Sequence, residues 1–245
     1  AFPVGTNPQQ ILSVLQQPES EKRLEAIRQE LNGRKLIIAA GRVDYVKGNR
    51  QILECFDRLL ERRPDLHGKL HLVMSCVQAA AEMRVYTTAQ KEIEQMVGKI
   101  NGRYAKLDWT PILLFTQPLS LTNLFCYYKA ADICWTTPLR DGLNLVAKEY
   151  IVCHEGKSGA LVLSEFVGAA VELPESVLTN PYSFDRMDES IEQALAMPEA
   201  EQKERMAKMY ETVQKYDVRY WADRLFDLFE KTKHETVAEK ELTKA

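Results

Sequence analysis

Two cationic side chains stand close together in one short segment, and their chemistry suits a phosphate ligand. Arg42 and Lys47 lie in residues 41–48, directly after an apolar run at residues 36–40. A guanidinium can hold two phosphate oxygens in a fork, whereas an ammonium acts as a mobile point charge. Together they suit a diphosphate. The alternative is an ordinary loop in which both cations face water.

A second segment, residues 136–149, combines a glycine with the predicted start of a helix. Gly142 has no side chain, so the backbone there can approach a ligand closely. A helix that begins near Leu143 would direct the free amides of Leu143, Asn144 and Leu145 out of its positive end. Such an end is an anion site, so this segment predicts a second contact with a phosphate group.

Two carboxylates flank that predicted helix start. Glu149 follows Leu145 by four residues, which places it on the same helix face about 6 Å further along the axis. This step is similar to the distance from a diphosphate to its ribose, so Glu149 is a candidate acceptor for the ribose hydroxyl protons. The alternatives are that Asp141 only caps the helix and that Glu149 is a solvated helix residue.

The sequence contains no pattern typical of a metal centre. His67 and His71 have helical spacing, but Gly68 and a strand that begins near Leu70 interrupt any helix there. No D-x-D pair is present. We therefore expect a leaving diphosphate to be neutralised by the two cations and the helix dipole, without Mg²⁺ or another cofactor.

Apolar runs that alternate with longer amphipathic stretches predict the elements that position these segments. Five short runs predict buried parallel strands, at residues 36–40, 70–74, 112–115, 132–135 and 160–163. Helices are predicted at residues 51–60 and 82–100, and from Ser183 onward the pattern is helical only. This alternation predicts an α/β protein with a doubly wound, Rossmann-like parallel sheet. Ligands bind outside the carboxyl ends of such strands, so both candidate segments are expected to converge there.

Composition restricts the kind of partner and the compartment. The 245 residues have a formal net charge of -3, and basic residues are interleaved with acidic ones, so a nucleic-acid partner is not expected. Apolar runs reach only about eight residues, far short of the roughly 20 that a membrane span needs. The five cysteines form no C-x-x-C pair and stand mostly among apolar neighbours, which favours core packing in a cytoplasmic protein.

Four sequence strings, in their order and spacing, resemble the trehalose-phosphate synthase family of retaining GT-B glycosyltransferases. They are R-x-D-Y-x-K-G at residues 42–48, GKINGRY at residues 98–104, WTP at residues 109–111 and TPLRDGLNLVAKEY at residues 137–150. The resemblance implies that the chain is the carboxyl-terminal, nucleotide-sugar-binding half of a GT-B fold, without the amino-terminal domain that supplies most of the acceptor pocket. It also implies an interdomain linker at residues 1–8, a Rossmann-like domain at residues 9–215, and a crossover helix with a tail at residues 216–245.

The same resemblance implies roles for individual residues. Arg42 and Lys47 hold the diphosphate and stabilise the charge that grows on it as the bond to glucose breaks. Asp141 contacts glucose hydroxyls, and Glu149 takes the ribose. The residues expected to bind the nucleotide sugar are therefore Arg42, Lys47, Asp141, Gly142, Asn144, Leu145 and Glu149.

One departure from the family pattern bears on the acceptor. Trehalose-phosphate synthases carry a Ser-Arg pair after the second strand, and that arginine helps to bind the phosphate of glucose 6-phosphate; this chain has Ala79, Ala80 and Ala81 there. Residues 76–86 resemble the branch of the family that transfers glucose from ADP-glucose to glycerol 3-phosphate and so makes an osmolyte precursor. The alternatives are a trehalose-phosphate synthase that uses UDP-glucose and glucose 6-phosphate, and a non-catalytic nucleotide-binding module.

An aromatic-rich helix is predicted at residues 216–229. Its apolar side chains are Tyr216, Tyr220, Trp221, Leu225, Phe226 and Phe229. They carry more apolar surface than one face of a sheet would bury, so we expect this helix to be exposed in the isolated chain or to pair with another copy in a homo-oligomer. The alternative is that these side chains complete the core of the domain.

Overall fold

A computed structural model describes residues 4–78 and 84–242 of the chain. Its centre is a parallel sheet of six strands: β1 Lys35–Val43, β2 Leu70–Gln78, β3 Ile112–Phe115, β4 Ile133–Thr136, β5 Ala160–Ser164 and β6 Val177–Thr179. Their order across the sheet is β3-β2-β1-β4-β5-β6, which is the order of a doubly wound sheet with crossovers on both faces. The predicted α/β class and doubly wound sheet are confirmed.

Two features of the strands differ from the prediction. The five predicted strands omit β6, because three residues are too few to show a periodic pattern. β1 continues as far as Val43, which is paired with Gln78 of β2. Arg42 is therefore a strand residue at the carboxyl end of β1, and not a loop residue as predicted.

Ten α-helices lie within the described residues. They are α1 Pro8–Leu15, α2 Pro18–Leu31, α3 Asn49–Arg62, α4 Arg84–Tyr104, α5 Leu121–Ala130, α6 Leu145–Cys153, α7 Ala169–Glu172, α8 Phe184–Ala196, α9 Glu199–Lys215 and α10 Val218–Leu242. The helices predicted at residues 51–60 and 82–100 correspond to α3 and α4. Ala79, Ala80 and Ala81 lie outside the described residues. No helix in the described ranges is both long enough and apolar enough to cross a bilayer.

Helices bury both faces of the sheet. Successive residues of β1 point to opposite faces, so Ile37 and Ala39 pack with α3, α4 and α8, while Leu36 and Ile38 pack with α1, α2, α5, α6 and α9. All five cysteines are buried and free, as expected from their apolar neighbours. These two buried layers fix the carboxyl ends of β1 and β4 relative to each other.

The first described residues pack against the start of α10. The carbonyl oxygen of Thr6 accepts a hydrogen bond from the Val218 amide at 2.8 Å. Further along α10, Phe226 and Phe229 are 66% and 65% exposed, so these two side chains do not complete the core of the described domain. The division of the chain into linker, domain and crossover helix stays a prediction.

Candidate functional site

A pocket opens between the carboxyl ends of β1 and β4. These strands are neighbours in the sheet although β2 and β3 separate them in sequence, so the pocket lies at the switch point where doubly wound sheets bind ligands. Its volume is about 290 Å³. The lining residues are Ala39, Ala40, Gly41, Arg42, Lys47, Asn49, Ile52, Trp135, Thr136, Pro138, Asp141, Leu143, Asn144, Leu145, Val146 and Glu149. The structure thus brings together all the predicted binding residues except Gly142, which lies beside the pocket.

The two segments that form the pocket are joined backbone to backbone. The Leu139 amide donates a hydrogen bond to the carbonyl oxygen of Val46 at 2.7 Å. Gly48 has a φ of 73°, and a Cβ atom added there would overlap the carbonyl group of Thr137. Only glycine allows both this backbone conformation and this close approach, so Gly48 sets the spacing between the two walls of the pocket.

We expect Gly48→Ala to lower the free energy of unfolding by at least about 2 kcal/mol, because it combines a left-handed backbone with a backbone clash. Urea denaturation measures the effect. The matched control is Gly142→Ala: Gly142 lacks a positive φ, and a Cβ there meets open space. Equal destabilisation by the two substitutions would contradict the spacing role of Gly48.

The two cations of the site are in different states. Lys47, in a 3₁₀ turn at Tyr45–Lys47 that follows β1, forms an ion pair with Asp141, with 2.8 Å between Nζ and Oδ2. Arg42 is exposed and has no carboxylate partner in the described part of the chain. The guanidinium of Arg42 is therefore available for an anionic ligand, whereas the ammonium of Lys47 is already paired with the Asp141 carboxylate.

The helix predicted near Leu143 begins two residues later, and its cap also differs from the prediction. α6 starts at Leu145, and Asn144 is its N-cap: Oδ1 of Asn144 accepts a hydrogen bond from the Ala147 amide at 3.1 Å. Asp141 does not cap α6; its Oδ1 accepts from the Leu143 amide at 3.4 Å. An α-helix leaves its first-turn amides without intrahelical partners, so those of Leu145 and Val146 remain the candidates for an anion.

Glu149 is a carboxylate in an apolar part of the pocket wall. Burial raises its pKa from 4.5 to about 7. It forms no hydrogen bond or ion pair within the described residues. Glu149 is half-buried, so it is not a fully exposed residue of the helix surface. A half-buried carboxylate with a raised pKa and no partner is typical of a group that can accept a hydrogen bond from a ligand.

We expect Glu149→Gln to stabilise the unliganded chain in a pH-dependent way. The folded-state pKa is raised, so the wild type loses stability as pH rises from about 4.5 to about 7, while the glutamine variant does not. The gain in unfolding free energy from the substitution should therefore be about 2 to 3 kcal/mol larger at pH 8 than at pH 5. The control is Glu211→Gln, which removes a charge from the exposed face of α9. A gain that is the same at both pH values would contradict the raised pKa of Glu149 in the folded chain.

Buried polar atoms at the pocket were missed by the sequence analysis. Asn49 Nδ2 and Trp135 Nε1, on two lining residues, and Thr137 Oγ1 nearby have no hydrogen-bond partner among the described residues. An unpaired buried donor costs about 1 to 3 kcal/mol, so a ligand or water that accepts these hydrogen bonds would recover that energy. Asn49 stands after Gly48 and two residues before the helix predicted at residues 51–60, which is a usable signal. Trp135 in an apolar run is indistinguishable from an ordinary core residue.

The fold and the pocket define a Rossmann-like α/β domain whose candidate ligand site lies at the switch point of the sheet. The chain belongs to glycosyltransferase family 20, because the sequence profile of that family matches residues 1–231. The expected membership of the trehalose-phosphate synthase family is thereby confirmed.

Individual relatives support the same assignment. A protein of Picosynechococcus sp. named glucosylglycerol-phosphate synthase is 59% identical over 226 residues, which are 92% of this chain and 45% of that protein. A UDP-forming alpha,alpha-trehalose-phosphate synthase of Dictyostelium discoideum is 35% identical over 90% of this chain and 30% of its own length. The crystal structure of an alpha,alpha-trehalose-phosphate synthase from Burkholderia xenovorans in complex with glucose-6-phosphate superposes with a TM-score of 0.89 at 35% identity, covering 94% of this chain and 51% of that one. The chain spans about half the length or less of the proteins it matches.

Proposed function

We propose that this chain is the donor-binding, carboxyl-terminal half of a retaining glucosyltransferase. The observation that carries the proposal is the convergence of Arg42, Lys47, the first amides of α6 and the unpaired Glu149 on one pocket. Cations and helix amides suit a diphosphate, and a carboxylate beyond them suits a ribose. The second predicted alternative, a non-catalytic module, would not require this full set.

In this proposal the pocket residues bind the donor and stabilise its leaving group. Arg42 and Lys47 bind the diphosphate and stabilise the negative charge that develops on it when its bond to glucose breaks. Asp141 accepts hydrogen bonds from glucose hydroxyls and so orients the sugar. No protein nucleophile is required, because the leaving phosphate oxygen can take the proton of the acceptor hydroxyl on the same face of the sugar.

For the complete enzyme we propose ADP-glucose as donor and glycerol 3-phosphate as acceptor. The relative named glucosylglycerol-phosphate synthase is 59% identical, against 35% for the trehalose-phosphate synthases cited above. The sequence at Ala79, Ala80 and Ala81 lacks the arginine expected of a glucose 6-phosphate site. Both observations favour the smaller acceptor, which makes the product an osmolyte precursor.

Calorimetric titration of the chain with ADP, UDP and their glucose conjugates tests the donor. We expect the ADP ligands to bind more tightly. Tighter binding of the UDP ligands would instead support a trehalose-phosphate synthase. Failure of every nucleotide to bind at millimolar concentration would refute the proposed donor site. For the acceptor, a higher rate with glucose 6-phosphate than with glycerol 3-phosphate in the full-length protein would refute that part of the proposal.

A further inference from the structure

The ion pair between Lys47 and Asp141 occupies two groups that the proposed function needs separately. Nζ of Lys47 lies 2.8 Å from Oδ2 of Asp141, and the two side chains are only 23% and 16% exposed. Lys47 has to hold the diphosphate of the donor, and Asp141 has to accept hydroxyls of its glucose. Before the donor arrives, each of these groups is therefore held by the other.

Among the described residues, Asp141 has only weak substitutes for Lys47. Its Oδ1 accepts a hydrogen bond from the Leu143 amide at 3.4 Å, and its Oδ2 lies 3.5 Å from Nδ2 of Asn144. Nδ2 of Asn144 carries two protons and donates one of them to Thr136 Oγ1 at 3.0 Å, so only one donor is left for Asp141. A partly buried carboxylate that loses its cation and keeps only two long hydrogen bonds is destabilised.

The backbone cannot relieve this competition by moving the two walls of the pocket apart. The hydrogen bond between Leu139 and Val46 and the close contact of Gly48 with Thr137 hold the two loops together. Lys47 makes no other ion pair in the described part of the chain. A phosphate that binds Lys47 therefore competes with Asp141 for the same ammonium group.

We propose that Asp141 determines specificity for a sugar-bearing nucleotide over the bare nucleoside diphosphate by competing for Lys47. The inference rests on the proposed function. A bare diphosphate draws Lys47 away and leaves Asp141 without a partner, whereas a nucleotide sugar supplies hydroxyl donors that replace the ammonium. Once glucose has been transferred, Asp141 binds Lys47 again and so weakens the hold of the site on the departing diphosphate.

Calorimetry on four forms of the chain tests this exchange: wild type, Asp141→Asn, Lys47→Ala and the double variant. We expect Asp141→Asn to tighten ADP binding by roughly tenfold, because Lys47 is then free for the diphosphate. Binding of ADP-glucose should stay the same or weaken, since the sugar loses a charged acceptor. In the Lys47→Ala background, Asp141→Asn should change the affinity for ADP less than about twofold.

The control is Asp44→Asn, on the same loop as Lys47. Asp44 Oδ1 accepts from the Val46 amide at 3.2 Å, a bond that asparagine can keep, so this variant removes a nearby negative charge without breaking the ion pair. Its affinity for ADP should match that of the wild type within about twofold. Circular dichroism verifies that all variants are folded under the conditions of the titrations.

The outcomes separate the exchange from the proposed function. Simple charge repulsion by Asp141 predicts a different result, namely that Asp141→Asn tightens ADP and ADP-glucose equally, or tightens ADP undiminished in the Lys47→Ala background. Either result overturns the exchange. If the nucleotides bind but Asp141→Asn leaves the ratio of the affinities for ADP and ADP-glucose unchanged, the exchange is overturned and the proposed function stands. Absence of binding by every form, with the UDP ligands as well, overturns both. If the UDP ligands bind more tightly, the same ratios are measured with them, because the exchange does not depend on the base.

Discussion

Incubated alone with ADP-glucose and glycerol 3-phosphate, the chain is expected to form product at least about 10⁵-fold more slowly than a full-length relative. The proposed site provides one wall of a cleft, with a pocket of about 290 Å³ whose described lining residues come from β1, β4 and the segments after them. Fixing an acceptor within reaction distance and excluding water can lower a barrier by roughly 7 to 11 kcal/mol. That contribution requires the second wall.

The assay needs two controls. Binding of ADP by the same preparation establishes that the chain is folded and that its donor site is occupied. The full-length Picosynechococcus sp. protein, which is 59% identical over the shared region, provides the reference rate. Turnover by the chain within tenfold of that reference would mean that this half is sufficient for catalysis, and would overturn its assignment as a donor-binding half.

Arg42→Ala is expected to have the largest effect of any single substitution in the pocket. Arg42 is exposed at the carboxyl end of β1 and has no carboxylate partner among the described residues, so its charge is available to the diphosphate. Loss of a charge-assisted bidentate contact should weaken ADP binding to the chain by about 10- to 100-fold. In the full-length protein, kcat should fall by roughly 10² to 10³, because the developing charge loses a fixed donor.

The matched control for Arg42→Ala is Arg63→Ala. Arg63 follows α3 and is paired with Asp65 at 2.8 Å, near the amino-terminal end of β2 and thus at the opposite edge of the sheet. Removing it lowers the net charge by the same amount without touching the pocket. If both substitutions weaken ADP binding equally, the effect of Arg42 is one of overall charge and the assignment of Arg42 to the diphosphate is wrong.

The positions of the candidate segments along the chain were predictable because the signals are local. Apolar runs of four or five residues indicate strands, and the parallel strands of one sheet share an edge for their carboxyl ends. The segments that contain Arg42 and Asp141 each follow such a run, so their convergence did not require knowledge of contacts. Boundaries were less accurate: the last residues of β1 and the whole of β6 depend on pairing with a neighbouring strand, which no short window of sequence contains.

Only the tertiary structure decided the chemical state of the site. The Lys47–Asp141 pair joins residues on loops after different strands, and its 2.8 Å separation depends on the order β2-β1-β4 in the sheet. The pKa of about 7 for Glu149 arises from desolvation by burial in the folded chain. Sequence alone thus identified the candidate groups for binding a nucleotide sugar, because residue type and local periodicity can be read from short segments of the chain. Which groups are paired, buried or free follows from long-range packing, because charge pairing and desolvation depend on distances in space.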